Sequence, residues 1–337
     1  MSKKIAFGVD LGWLSQLEAE GVTWVDEENH PVDPIDALVE MGADSVRLRI
    51  FVNPPKDAYW KKREDEICML GFCDAKSVLE MSKRVKEKGL TLMLDFHYSD
   101  HFADPQFQDI PDAWKHDDNE GLKKRVYEHT KEVLTLFTQN DIYPEWVQVG
   151  NEINPGLLLP NGSKEKPEVM VSFLNAGYEA VKECCPECQV ITHIAGVDKA
   201  DWVAPFLEIF FTNGGKADII GFSHYPYWYK MMGGEAAVTE DLQENLTRFS
   251  CKYKKPVMIV EVGGPENEEQ ETYDLLCDTI EAIQNVPDGM GQGVYYWEPE
   301  VGKDFVPDQY PLGAAVKVGE KTIRFTKAMT AYKKYNV

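Results

Sequence analysis

The sequence predicts an α/β fold, a single (β/α)8 barrel of the TIM type, from three observations. Eight short apolar runs recur along the chain, helical stretches separate most of them, and each run ends in a polar or aromatic residue. Strands that alternate with helices form a parallel sheet with crossover helices, and eight strands close a barrel. No Ser/Gly-rich linker or composition shift divides the 337 residues, so residues 1–337 read as one catalytic domain rather than the two that length alone suggests. An open doubly wound sheet is the rival, but no Gly-x-Gly-x-x-Gly follows any of the runs.

Taken in order, Ile5–Asp10 is the first strand and Ser45–Phe51 the second, with Arg47 and Arg49 on one face by the period of two. Between them Asp33-Pro34 opens a helix that runs to about Gly42. Asp74 caps a helix through Val78, Leu79, Met81 and Val85, closed by Gly89, and Leu90–His97 follows as the third strand. Leu122, Val126, Val133 and Phe137 recur at helical spacing. After Pro144 comes the fourth strand, Val147-Gln148-Val149, which breaks into Gly150-Asn151-Glu152. A helix around Phe173–Lys182 leads to the fifth strand, Gln189–Ala195, and Asp218–His224 is the sixth. The seventh, Pro256–Val262, rises to Glu261 before Gly263-Gly264-Pro265, and Gly293–Trp297 is the eighth.

Composition narrows the function. A hydrophobic content of 43% and an aromatic content of 11% are those of a folded globule, and a net charge of -22 repels phosphate backbones and anionic membranes, so neither nucleic acid nor membrane is an expected partner. Seven scattered cysteines make no disulfide framework, and the lysines of Met1–Lys4 precede too short an apolar run for a leader, so a cytoplasmic location is expected. Cys185-Pro186-Glu187-Cys188 has no second paired cluster and reads as reduced surface thiols. His97, Asp100 and His101 lie on a strand exit and its loop without helical register, so no metal is expected there.

In a barrel of this kind the chemistry sits at the C-terminal strand ends. Those ends carry Asp10, Arg49, His97, Asn151-Glu152, His193, His224-Tyr225, Glu261 and Trp297. Two convergent carboxyl groups suit glycosidic cleavage, one as acid and one as nucleophile or base. On this reading Arg49 pairs with the ionised glutamate and Arg47 forms a structural ion pair. Asn151 donates to a sugar 2-hydroxyl, His224 and Tyr225 orient the carboxylates, and Trp297 gives an apolar floor.

The chain also resembles the family 53 glycoside hydrolases, the endo-β-1,4-galactanases, nearly end to end. Arg47–Pro54, Leu94–Pro105, Gln148–Asn154, Ile220–Trp228 and Tyr296-Trp297-Glu298-Pro299 carry the resemblance. Its His-Tyr-Ser-Asp…Ala-Asp-Pro motif is specific to the family, whereas Asn-Glu belongs to the whole clan. By position the resemblance implies that Glu152 is the acid/base and Glu261 the nucleophile of a retaining double displacement. It implies that Arg49, His97, Asn151, Tyr225 and Trp297 line the subsite of the cleaved sugar and that the substrate is β-1,4-linked galactan. Asp100 and His224 are further expected substrate-binding residues, galacto-oligosaccharides a further expected substrate, and no cofactor is expected. Glu300, Asp304 and Asp308 stand where relatives often hold a calcium ion. Leu159, Gly263-Gly264 and the stretch Asp308–Leu312 lack aromatic or tryptophan residues usual in the family, which implies intact chemistry with thinned sugar platforms. The other readings are a mannanase- or glucanase-type barrel and a barrel that binds carbohydrate without cleaving it.

Overall fold

The computed structural model describes residues 5–233 and 239–336, so the Met1–Lys4 lysines lie outside the described residues. Eight parallel strands close the predicted barrel: β1 (Ala6–Asp10), β2 (Ser45–Ile50), β3 (Thr91–Phe96), β4 (Trp146–Val149), β5 (Gln189–Ala195), β6 (Ile219–His224), β7 (Val257–Val262) and β8 (Gly291–Tyr296). Each pairs with its neighbours in sequence, and β8 returns to β1.

The crossover helices begin where local chemistry starts them. In α1 (Pro34–Glu40) the Asp33 carboxylate accepts from the amides of Ile35 and Asp36, with proline at the first helical position. In α2 (Ala75–Glu87) Asp74 does the same for Lys76 and Ser77. Asp118 caps α3 (Asn119–Thr138), whose Leu122, Val126, Val133 and Phe137 are buried against the barrel. Then follow α4 (Pro167–Cys184), α5 (Ala200–Thr212), α6 (Thr239–Tyr253), α7 (Glu269–Gln284) and a short α8 (Ala331–Tyr335).

Two apolar cores result. The larger lies between strands and helices, and the smaller fills the barrel bore with Ala6, Met93, Trp146, Ile191, Ile219, Met258, Val260 and Tyr295. Directly above this plug the inward positions turn polar, so the bore ends as a floor for the site. Outside the barrel, Thr23–Val25, Pro31–Val32, Ala315–Gly319 and Thr322–Phe325 form a four-stranded sheet that joins the chain's two ends, and Tyr59–Arg63 pairs with Glu66–Met69. Sequence reading missed both, because these short strands interrupt loops and lack a long alternating pattern. No helix among the described residues is long and apolar enough to cross a membrane.

Candidate active site

Arg47 and Arg49 do share a face, and both are buried, but their roles are the reverse of the sequence-based expectation. Arg47 is the arginine that holds Glu261: its Nη2 is 3.0 Å from Glu261 Oε1 and 2.8 Å from Asp95 Oδ2. Its Nη1 lies 3.1 Å from Asp10 Oδ1, and Nη2 also donates to Gln148 Oε1 and Asn151 Oδ1. Arg49, one step further along β2, pairs with Glu298, donates to the Leu70 carbonyl and packs over the Phe102 and Trp13 rings. The reason is depth. The deeper side chain reaches the centre of the polar floor, while the one at the rim is turned aside by the loops after β1 and β8.

Glu261 reaches this arginine because β7 breaks its alternation. Phe222 pairs with Ile259 and Ser223 with Glu261, so Val260 is the extra residue of a bulge. Val260 belongs to the bore plug, and without the bulge Glu261 would point outward to the helices. Tyr225 Oη donates to Glu261 Oε2 at 3.1 Å.

Glu152 sits just beyond β4 with φ of 45°, a left-handed backbone that costs a side-chain-bearing residue energy. Gly150 before it also has positive φ (82°), and a Cβ there would stand 2.7 Å from Ile153 Cγ2. Glu152 Oε1 lies 2.5 Å from Ser223 Oγ, which is 2.8 Å from His193 Nε2. His193 Nδ1 in turn lies 2.9 Å from Asn151 Oδ1. Asn151 donates one amide hydrogen to the Ala103 carbonyl, and the Ala103 amide donates to His97 Nδ1. His97 Nε2 therefore carries the proton it gives to Asp95 Oδ2 at 2.9 Å.

These contacts set the two glutamates apart. Burial and the neighbouring Glu261 charge push the Glu152 carboxyl well above the ordinary value, so it keeps a proton. Burial leaves the Glu261 carboxyl above its ordinary value as well, but there Arg47 and the Tyr225 hydroxyl oppose the rise. Burial raises Asp95 too, yet Arg47 and His97 outweigh it and leave its carboxyl below the usual value. Asp10 stays well above its usual value through burial despite Arg47. Burial and the Arg47 charge hold His193 well below its ordinary value, so its ring is neutral. A carboxyl that keeps its proton beside one paired with arginine is the arrangement glycosidic double displacement needs.

Of the other expected site residues, Trp297 lies on the rim with its ring edge against Tyr310 (4.7 Å) and Trp13 (5.2 Å). Asn151 lines the floor, and His97 acts on the site through Asp95. His224 does not orient either glutamate; its Nδ1 is 2.5 Å from Asp198 Oδ1, because its backbone is the last of β6 and turns toward the α5 loop. Asp100 is a loop staple: its oxygens accept from the Asn53 and Asp112 amides, tying together the loops after β2 and β3. Glu300, Asp304 and Asp308 do not converge. Glu300 is buried beside Glu298 and accepts from the Trp13 amide, Asp304 is exposed, and Asp308 neighbours the Cys68 thiol. These three carboxylates do not make a calcium site together, and no group of three or more His, Cys, Asp or Glu side chains that could hold a metal occurs among the described residues.

His101 stacks on Trp60 at 3.9 Å and pairs with Asp109. Cys185 and Cys188 are free but buried rather than on the surface, because the turn that holds them packs under α4. Reading strand exits alone missed Asp95 and Gln148, which sit one layer deeper, and passed over Ser223 as the residue before an expected histidine. It also missed Tyr310, an aromatic ring in the very loop that lacks a tryptophan.

The signature described as Glycosyl hydrolase family 53 matches residues 6–274. An arabinogalactan endo-beta-1,4-galactanase of Cellvibrio japonicus is 32% identical over 326 residues, covering 87% of this chain and 79% of that protein. A probable arabinogalactan endo-beta-1,4-galactanase A of Aspergillus terreus is 30% identical over 317 residues, covering 87% and 84%. The solved GH53 catalytic domain of Ignisphaera aggregans superposes with a TM-score of 0.84 at 25% identity, covering 98% of this chain and 95% of that one. With its closed barrel and two glutamates at the ends of β4 and β7, the chain belongs to glycosyl hydrolase family 53.

Proposed function

We propose that this protein hydrolyses β-1,4-galactosidic bonds in galactan or galacto-oligosaccharides with retention of configuration. Glu152 acts as acid/base and Glu261 as nucleophile. The observation that carries the reading is the opposed surroundings of the two carboxyl groups: Arg47 and Tyr225 hold Glu261, while among the described residues the Glu152 carboxyl has only the Ser223 hydroxyl as hydrogen-bond partner. The substrate comes from the relatives' activity.

In the first step Glu261 attacks the anomeric carbon as Glu152 protonates the departing oxygen. A galactosyl ester forms on Glu261, and the glycosidic bond breaks. In the second step ionised Glu152 takes a proton from water, whose oxygen attacks the anomeric carbon and releases Glu261. Trp297 and Tyr310 offer apolar faces to the sugar rings. Seven unpaired thiols agree with action in a reducing compartment, for which short oligosaccharides are the natural form of substrate. Product analysis on β-1,4-galactan and galactotetraose beside mannan and β-glucan tests the proposal. Galactose and short galacto-oligosaccharides should form, and cleavage of mannan or glucan alone would refute it.

A further inference from the structure

Hydrogen-bond arithmetic behind Glu152 fixes more than its position. Asn151 gives an amide hydrogen to the Ala103 carbonyl at 2.8 Å, which turns its oxygen toward His193. That oxygen also accepts from Arg47 and Gln148, so it faces His193 Nδ1 as an acceptor. Two acceptors do not bond, so Nδ1 carries the ring proton. The Glu152 amide also points at this nitrogen, but at 3.4 Å it is the longer and weaker contact beside the 2.9 Å one to Asn151 Oδ1. Burial and the Arg47 charge exclude a second ring proton. His193 Nε2 is therefore bare, and among the described residues its hydrogen-bond donor is the Ser223 hydroxyl, 2.8 Å away. Ser223 has a single hydrogen. While that hydrogen lies on His193, Ser223 offers Glu152 only lone pairs, and the 2.5 Å contact is satisfied only if Glu152 supplies the proton.

We propose that Ser223 and His193 form a two-position relay that holds the proton on Glu152 and follows it through the reaction. Both are positioning residues, and the proposal rests on Glu152 being the acid/base. In the resting state Glu152 O–H donates to Ser223 Oγ, and Ser223 O–H donates to His193 Nε2. When Glu152 gives its proton to the leaving oxygen, the Ser223 hydroxyl rotates and donates to the new carboxylate, leaving His193 Nε2 without a donor. When Glu152 recovers a proton from water, the hydroxyl swings back. No proton leaves Ser223 or His193; only one O–H bond turns. The buried bare nitrogen penalises the ionised state, which favours the acid. Other titratable and charged groups face the pair too: Glu261, Asp104 and Arg47 around Glu152, and Arg47, Asp95 and the His97 ring around His193.

Two measurements test the relay without requiring turnover. In the wild-type protein, ¹⁵N shifts of His193 should show a protonated Nδ1 and bare Nε2 across neutral pH; the opposite tautomer overturns the proposal. Titration of the ¹³C-labelled Glu152 carboxyl, assigned with Glu152→Gln, should move down by about one pH unit in His193→Phe, because Ser223 is then free to donate to the anion. The same His193→Phe change on a Ser223→Ala background should produce no further movement. A shift that persists without Ser223 means that His193 acts through Asn151 or the fold, and the relay is wrong. Absence of galactan cleavage by the wild type would overturn the functional reading while leaving both spectroscopic outcomes to decide the relay.

Discussion

Replacing Arg47 with methionine keeps most of the side chain's length and removes a cation that Asp10, Asp95 and Glu261 share. All three carboxyl groups are buried, so water does not take over the lost contacts. Breaking one buried ion pair costs about 3–5 kcal/mol, and that is the expected loss of stability at neutral pH. An arginine beside a carboxyl lowers its pKa by about 1–3 units, so the acid limb of kcat/KM should move up by that amount as Glu261 loses its partner. On that limb the rate follows the ionised fraction, and the loss is about 10- to 1000-fold.

Asp95 contributes to the pH dependence of stability with a sign opposite to that of Asp10 and Glu152, whose raised carboxyls lose their contribution as pH rises. In the wild type Asp95 lies below its usual value, so its contribution is present at neutral pH and lost as pH falls through its folded value. Without Arg47 the Asp95 carboxyl rises to join the raised ones, so the variant should lose more stability than the wild type as pH rises from the ordinary carboxylate range toward neutrality. Denaturation at pH 5 and pH 7 together with a kcat/KM profile provides the assay. Arg49→Met, which loses Glu298 and the Leu70 carbonyl, should cost stability but leave the acid limb in place. If Arg49→Met moves that limb and Arg47→Met does not, the assignment of the nucleophile's partner is wrong.

Two further substitutions separate the roles of the carboxyl groups. Glu152→Ala should all but abolish cleavage of polymer, yet retain release of a good leaving group such as nitrophenolate, which needs little protonation; equal loss on both substrates would contradict its role as acid. Tyr225→Phe removes the donor to Glu261 Oε2, a hydrogen bond to a charged group worth about 1.5–3 kcal/mol, so kcat/KM should fall roughly 10- to 100-fold with the acid limb shifted upward. An unchanged profile would place Tyr225 outside the chemistry.

What could be read in the sequence follows from the range of each signal. Strands, their order and the residues at their exits are local patterns, and Glu152, Tyr225 and Trp297 reach the rim as their positions imply, with Asn151 in the floor beneath them. The choice between Arg47 and Arg49 depends on depth along the bore, which a period of two does not encode. Glu261 faces inward only through the bulge at Val260, and an apolar run carries no mark of where one residue is skipped. His193 and Ser223 gain meaning only through strands β4, β5 and β6 lying side by side. Tyr310 joins Trp13 and Trp297 across nearly the whole chain, a contact that no local window contains.

The most direct test of the account is capture of the covalent intermediate. A 2-deoxy-2-fluorogalactoside with a good leaving group should inactivate the protein, because fluorine destabilises the oxocarbenium-like transition state and slows release. Mass spectrometry of the digested protein should then find one fluorogalactosyl group on the peptide holding Pro256–Pro265, on Glu261. A label on Glu152, or full inactivation with no label at all, would contradict the assignment of Glu261 as nucleophile.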